Sequence, residues 1–315
     1  MKQTLLALAL CAFFASGARA QQDFSKVEIR SEALAGSVHM LTGAGGNLAL
    51  SIGDDGAFLV DDQFAPLSAR IKAAIATISR KPVRFVLNTH WHGDHTGGNE
   101  QFGRAGSVIV AHENVRRRMS SEQFSSFATQ PIPPSPKAAL PVVTFATDVT
   151  FHLNGDEIHA FHVPGAHTDG DAIVHFRRAN VMHLGDVFFN RLYPFIDAGS
   201  GGSWAGTLAA VDKVLALAGD DTKLIPGHGP LASKADLVAY RQMLQTVGER
   251  LQALAREGRS LQDALAAKPT APYDEVWGKG YFTPEEFVGM LWPQFARAAG
   301  ATPAPAPASA ASAQR

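Results

Sequence analysis

His90-Trp91-His92-Gly93-Asp94-His95 places four imidazole or carboxylate side chains within six residues, directly after the apolar run 83–87 and the polar pair Asn88-Thr89. Regular strand geometry throws successive side chains to opposite faces, so an irregular turn at a strand end is what can aim all four at one point. Gly93 lets the backbone bend closely between them, and imidazole with carboxylate is a zinc-type donor set. The same layout recurs downstream. Apolar runs at 159–163, 181–184 and 223–225 lead into Pro164-Gly165-Ala166-His167, Gly185-Asp186 and Pro226-Gly227-His228. Four strand ends therefore each deliver candidate ligands.

Cysteine plays no part in this. Cys11 is the only one in the chain, and it lies in a leader-like stretch at 1–20 with Lys2 near its start, an apolar run at 5–14 and Ala18-Arg19-Ala20 as a small-x-small cleavage site. Cleavage there predicts an exported, periplasmic or secreted protein with no disulfide and no thiolate ligand, so any metal must be held by nitrogen and oxygen. It also leaves 26 basic against 29 acidic side chains, a formal charge of −3 that does not attract nucleic acid. No later stretch reaches the roughly 18 apolar residues of a membrane anchor. A small-molecule substrate is the expected partner, and the sequence carries no sign of oligomeric state.

Outward from the histidine turn, Gly53-Asp54-Asp55-Gly56 separates apolar runs at 48–52 and 57–60, which is hairpin chemistry. Leu67, Ile71, Ala74, Ile75 and Ile78 recur at helical spacing within 66–80, as do Leu237, Tyr240, Leu244 and Val247 after His228. The proline-rich 131–136 reads as an extended loop, because ligands lie on both sides of it. The expected organisation is a leader at 1–20, one α/β domain at 21–234, a helical extension at 235–298 packed on it, and a disordered tail at 299–315.

With these residues in view the chain resembles the metallo-β-lactamase superfamily, whose HxHxDH element is matched in full at 90–95. Asp61 after Leu59-Val60, His167 in Gly-Ala-His-Thr-Asp-Gly-Asp, Asp186 in His-Leu-Gly-Asp and His228 in Pro-Gly-His-Gly follow in the family's order. The resemblance spans about 36 to 230. It implies a four-layer αββα sandwich with the C-terminal helices added. It further implies that His90, His92 and His167 hold one metal, that Asp94, His95 and His228 hold another, and that Asp186 bridges. Asp61 is then the residue steadying the histidine turn through outer hydrogen bonds. Among the remaining histidines, His159, His162, His175 and His183 are expected to be ordinary strand residues, and His112 is a candidate for a similar outer contact.

Two zinc ions, with iron or manganese as alternatives, turn a shared water into hydroxide near neutral pH without any serine or cysteine nucleophile. Asp94 is assigned to orient that nucleophile while ligating. The expected reaction is hydrolysis of an ester, lactone, thioester, amide or phosphoester. Pocket walls are sought in the glycine-rich 42–47 flap and the aromatic 187–197 loop, where Arg191 is a candidate contact for a substrate carboxylate. In the zinc lactamases a cysteine stands in the matching second-site turn and a lysine three residues later, whereas this chain has Asp186 and Phe189. The expectation is therefore a lactamase-like hydrolase with weak β-lactam turnover at most. A lactonase or glyoxalase II-like thioesterase is the alternative, and an iron-dependent sulfur dioxygenase is the alternative of another class.

Overall fold

The computed structural model describes residues 23–124 and 130–300. The expected leader at 1–20, and the expected tail apart from residues 299 and 300, lie outside them. Seven strands form one sheet in sequence order: β1 (Arg30–Ala35), β2 (Val38–Thr42), β3 (Leu48–Gly53), β4 (Gly56–Val60), β5 (Val83–Asn88), β6 (Val108–His112) and β7 (Val143–Phe145). The first four pair as antiparallel hairpins, and β4 to β7 run parallel. The second sheet contains β8 (Asp148–Leu153), β9 (Asp156–His162), β10 (Ala172–Phe176), β11 (Val181–His183) and β12 (Lys223–Ile225), in the order β12-β11-β10-β9-β8.

Period-two alternation sorts these strands into layers. Met40, Ala49, Phe58, Val60, Leu87 and Val110 of the first sheet pack against Ile158, Ala160, Val174, Phe176, Val181 and Ile225 of the second. The intervening residues face outward. Leu41, Leu48, Leu50, Leu59, Val86 and Ile109 meet Ile71 and Ile75 of the Ser68–Ile78 helix. On the far side Phe161, Ile173, Met182 and Leu224 meet the helices Trp204–Leu217, Lys234–Arg256 and Pro284–Ala298. Three apolar interfaces thus separate four layers, and strands covered on both faces read as nearly continuous apolar runs. This is the αββα sandwich expected, with the C-terminal helices as part of its outer layer. Among the described residues no helix is long and apolar enough to cross a membrane.

The Gly53 to Gly56 hairpin is present, with those two residues paired at its end. Antiparallel strands can be joined that tightly, but β4 and β5 are parallel and need a crossover, which the Ser68–Ile78 helix supplies. This helix is shorter than the 66–80 periodicity, because Ala65–Leu67 forms a tighter 3-10 turn ahead of it. The histidine turn differs more: Gly93–Thr96 is a single helical turn with His92 at its N-cap, not wholly irregular chain.

Candidate metal centre

The loops after β5, β9, β11 and β12 converge. His90, His92, His167 and Asp186 bring one donor atom each to a common point, as do Asp94, His95 and His228, with every such set lying within 4.8 Å. Asp186, a member of the first group, also faces the second. Its Oδ2 lies 3.5 Å from His167 Nε2 and 3.7 Å from His90 Nε2, while Oδ1 lies 3.1 Å from His95 Nε2 and 3.4 Å from His228 Nε2. Gly185, at φ 51°, makes the turn that carries Asp186 inward, and Gly227 packs so closely that a Cβ there would sit 2.0 Å from Asp186 Oδ1.

Each imidazole has one nitrogen engaged on its outer side. His95 Nδ1 donates to Asp61 Oδ2 at 2.8 Å, His167 Nδ1 to the Phe195 carbonyl at 2.8 Å, and His92 Nε2 to Asp197 Oδ2 at 2.9 Å. His90 Nδ1 donates to Thr89 Oγ1, which itself donates to Asp61, and His228 Nδ1 donates to the Tyr281 hydroxyl. Such outer bonds select the tautomer and leave the opposite nitrogen as a lone pair. Those lone pairs meet inside: His167 Nε2 is 2.9 Å from His92 Nδ1, and His95 Nε2 is 3.4 Å from His228 Nε2. His90 Nε2 and Asp186 Oδ1 are buried with no hydrogen-bond partner. Acceptors facing acceptors in a buried space need a cation between them. The donor set fits two metal ions, one per group, with a carboxylate oxygen of Asp186 turned to each.

Electrostatics separates the two groups. Burial holds His167 down at about 4 and, with the nearby His95 charge, holds His90 well below the usual imidazole value. Burial opposes protonation of His228 too, but the Asp186 and Asp94 carboxylates outweigh it and push that imidazole up to about 9. His95 is raised for the same reason, against the same burial.

Asp61 lies against the histidine turn. Its backbone sits in the left-handed region at φ 60°, uncommon outside glycine, and its fully buried carboxylate accepts from Thr89 N, Thr89 Oγ1 and His95 Nδ1. Asp171 braces the His167 turn by accepting from Thr168 N at 2.8 Å, and burial pushes its carboxyl up to about 8. The 42–47 flap lies against the site, for a Cβ on Gly46 would fall 2.1 Å from His95 Cε1. Asn47 fastens it, donating from Nδ2 to the carbonyls of Pro226 and Gly229, while its own carbonyl accepts from His183 Nε2.

The 187–197 loop is both plug and wall. Val187, Phe188, Tyr193 and Ile196 are buried against the C-terminal helices, whereas Phe189 stacks on His228 at 5.1 Å and Phe195 lies 5.6 Å from the His167 ring. Arg191 is exposed, with its backbone in the left-handed region at φ 62°. His112 is no outer contact of the ligands: Nε2 donates to the Ala146 carbonyl, Nδ1 accepts from Asn114 N, and the ring stacks on His162. Two residues that touch ligands, Asp197 and Tyr281, were given no such role from the sequence. Asp197 closes a loop already marked as a wall, and a carboxylate there was its signal. Burial opposes its ionisation, but the His92 hydrogen bond and charge hold Asp197 at about 2. Tyr281 lies 53 residues from His228, and no pattern links the two.

The family model described as the metallo-beta-lactamase superfamily matches residues 42–228. The chain is 24% identical over 246 residues to the 2,4-dinitroanisole O-demethylase subunit alpha of Nocardioides sp. (strain JS1661), covering 76% of this chain and 70% of that protein. It is 26% identical over 225 residues to the atrochrysone carboxyl ACP thioesterase of Aspergillus terreus (strain NIH 2624 / FGSC A1156), covering 71% of this chain and 58% of the relative. In fold it is similar to a metallo-beta-lactamase from Pontibacter korlensis, with a TM-score of 0.57 at 20% identity over 69% of this chain and 99% of that one.

Proposed function

The chain belongs to the metallo-β-lactamase superfamily, and on that footing we propose that it is an exported two-metal hydrolase of uncharged acyl substrates, namely esters, thioesters or lactones, with weak β-lactam turnover at most. The observation that carries the two-metal reading is Asp186, with one carboxylate oxygen turned to each histidine group and a buried Oδ1 and His90 Nε2 left without hydrogen-bond partners. His90, His92 and His167 would hold the first ion, Asp94, His95 and His228 the second, with Asp186 between the two groups. Bound there, two such ions supply a hydroxide nucleophile near neutral pH and polarise the scissile oxygen.

The protein's own groups do the rest. Asp94, whose side chain is 24% exposed while His95 is fully buried, is the ligand that reaches the open side of the site. Its carboxylate can accept a proton bond from the attacking water and so fix its direction as well as ligate. Asp61, Asp197 and the Phe195 carbonyl hold the imidazoles in one tautomer, so that reorganisation is small when charge develops on the substrate. Phe189, three residues after Asp186 where the resemblance to the zinc lactamases implies a carboxylate-binding lysine, stacks on His228. Together with Phe195 it favours apolar acyl groups over anionic antibiotics. That two relatives are a thioesterase and an O-demethylase supports a range of substrates wider than β-lactams.

The test is a panel of aryl esters, acyl thioesters, lactones and β-lactams, run on protein loaded with zinc, manganese or iron. Turnover of uncharged acyl substrates with two ions bound supports the reading. Stoichiometric iron with oxygen consumption and no hydrolysis overturns it in favour of redox chemistry. Export is tested separately by the N-terminus of the protein recovered from its host, expected at Gln21.

A further inference from the structure

The site histidines share one construction, an outer nitrogen engaged and an inner lone pair, but His228 differs in where its outer partner comes from. The partners of His90, His92, His95 and His167 come from the strand-end turns after β4 and β5 and from the 187–197 loop. The partner of His228 is Tyr281, in the connection between the helices Asp274–Trp277 and Pro284–Ala298. Its hydroxyl lies 3.1 Å from His228 Nδ1, and the two rings meet edge to face at 5.3 Å and 83°. Phe189 covers the other aspect of the same imidazole.

That connection is fastened to the 187–197 loop. Tyr193 donates its hydroxyl to Asp274 Oδ1 at 2.7 Å and its amide to the Trp277 carbonyl at 3.0 Å. Gly280 sits so close to Leu192 that a Cβ would lie 2.4 Å from its Cδ2, and Phe282 lies 6.2 Å from Phe195. Beyond Tyr281, Thr283 and Glu286 form the capping box that starts the Pro284–Ala298 helix. The hydroxyl is thus placed by contacts on both sides of it. Tyr281 is also 49% exposed, unlike the buried Asp61 and Asp197, so it stands at the open edge of the site.

We propose that Tyr281 is the positioning residue of His228: its oxygen accepts the Nδ1 proton, fixes the tautomer that turns the Nε2 lone pair inward, and makes second-ion affinity depend on the docked C-terminal segment. The inference rests on the two-metal reading given above. An acceptor on the far nitrogen of a metal-binding imidazole is worth ten- to a hundredfold in affinity. Removing this one affects the second group alone, because the first group has its own outer partners. With its oxygen engaged by His228, the hydroxyl keeps a proton that it can donate at the mouth.

The experiment titrates zinc, and cobalt as a spectroscopic probe, into metal-free wild-type protein and Tyr281→Phe against a competing chelator, with thermal unfolding of both metal-free proteins alongside. The phenyl ring is retained, so only the hydroxyl is tested. The expected result is a second-ion Kd raised ten- to a hundredfold and a first-ion Kd within about threefold of wild type. The metal-free melting temperature stays unchanged, and excess metal restores kcat. Unaltered constants for both ions overturn the proposal, as does an equal loss at both sites or a destabilised metal-free protein, which indicates a merely structural contact. Wild-type protein that binds fewer than two ions defeats the two-metal reading itself and the inference with it.

Discussion

Gly46→Ala is a one-methyl perturbation aimed at the second metal group from outside the ligand set. A Cβ at this position would stand 2.1 Å from His95 Cε1, 2.5 Å from Nε2 and 2.6 Å from Nδ1, about 1.3 Å short of the 3.4 Å at which ordinary contact begins. The imidazole cannot step aside freely. It is fully buried, its Nδ1 is held by Asp61 at 2.8 Å, and its Nε2 faces Asp186 at 3.1 Å. The flap is equally constrained, because Gly46 N donates to the Asp94 carbonyl at 3.1 Å and Asn47 is fastened to the His228 turn. A shift of an ångström in either partner costs a charge-assisted hydrogen bond, worth about 1.5–3 kcal/mol. That is about ten- to a hundredfold in second-ion affinity, and displacement of this size costs on the order of a hundredfold in turnover. Competition titration with a chromophoric chelator and kcat/KM on an aryl ester measure the two effects. Second-ion affinity within threefold of wild type would refute the claim that the flap rests rigidly on His95.

Asp94→Ala should abolish hydrolysis while leaving the metal-free melting temperature nearly unchanged, since its side chain is partly exposed; retained kcat sinks its assignment as the orienting carboxylate. Asp61→Ala deletes a buried acceptor of three hydrogen bonds and should lower stability by about 3 kcal/mol or more, read by denaturant unfolding; a loss below about 1 kcal/mol contradicts its bracing role. Metal binds only neutral imidazole, so loading the second group must expel the protons that His95 and His228 hold at pH 7. Second-ion affinity should therefore climb with pH up to about 9, the value of His228, whereas His90 and His167 are already neutral and contribute no such slope to the first ion. Chelator competition from pH 6 to 9 checks this, and parallel slopes for both ions would count against it.

The residues 90–95 and the turns at 167, 186 and 228 were legible because ligand chemistry restricts which side chains can serve, and because strand ends mark themselves by apolar runs stopping at glycine and polar residues. The individual strands and helices were legible from apolar runs and helical periodicity, whereas the four layers were implied by the resemblance. The family resemblance implied a role for Asp61 in advance. Local pattern carried nothing about Tyr281, and only a faint sign of Asp197, because their partners lie 53 and 105 residues away and a single hydrogen bond across that distance imposes no periodicity. Which oxygen of Asp186 faces which histidine group and which nitrogen of each imidazole is free both depend on how separately built loops meet. Composition and spacing determined the donor set and the resemblance implied the architecture, while the tautomers, the outer partners and the aromatic enclosure of His228 were decided only where the chain packs against itself.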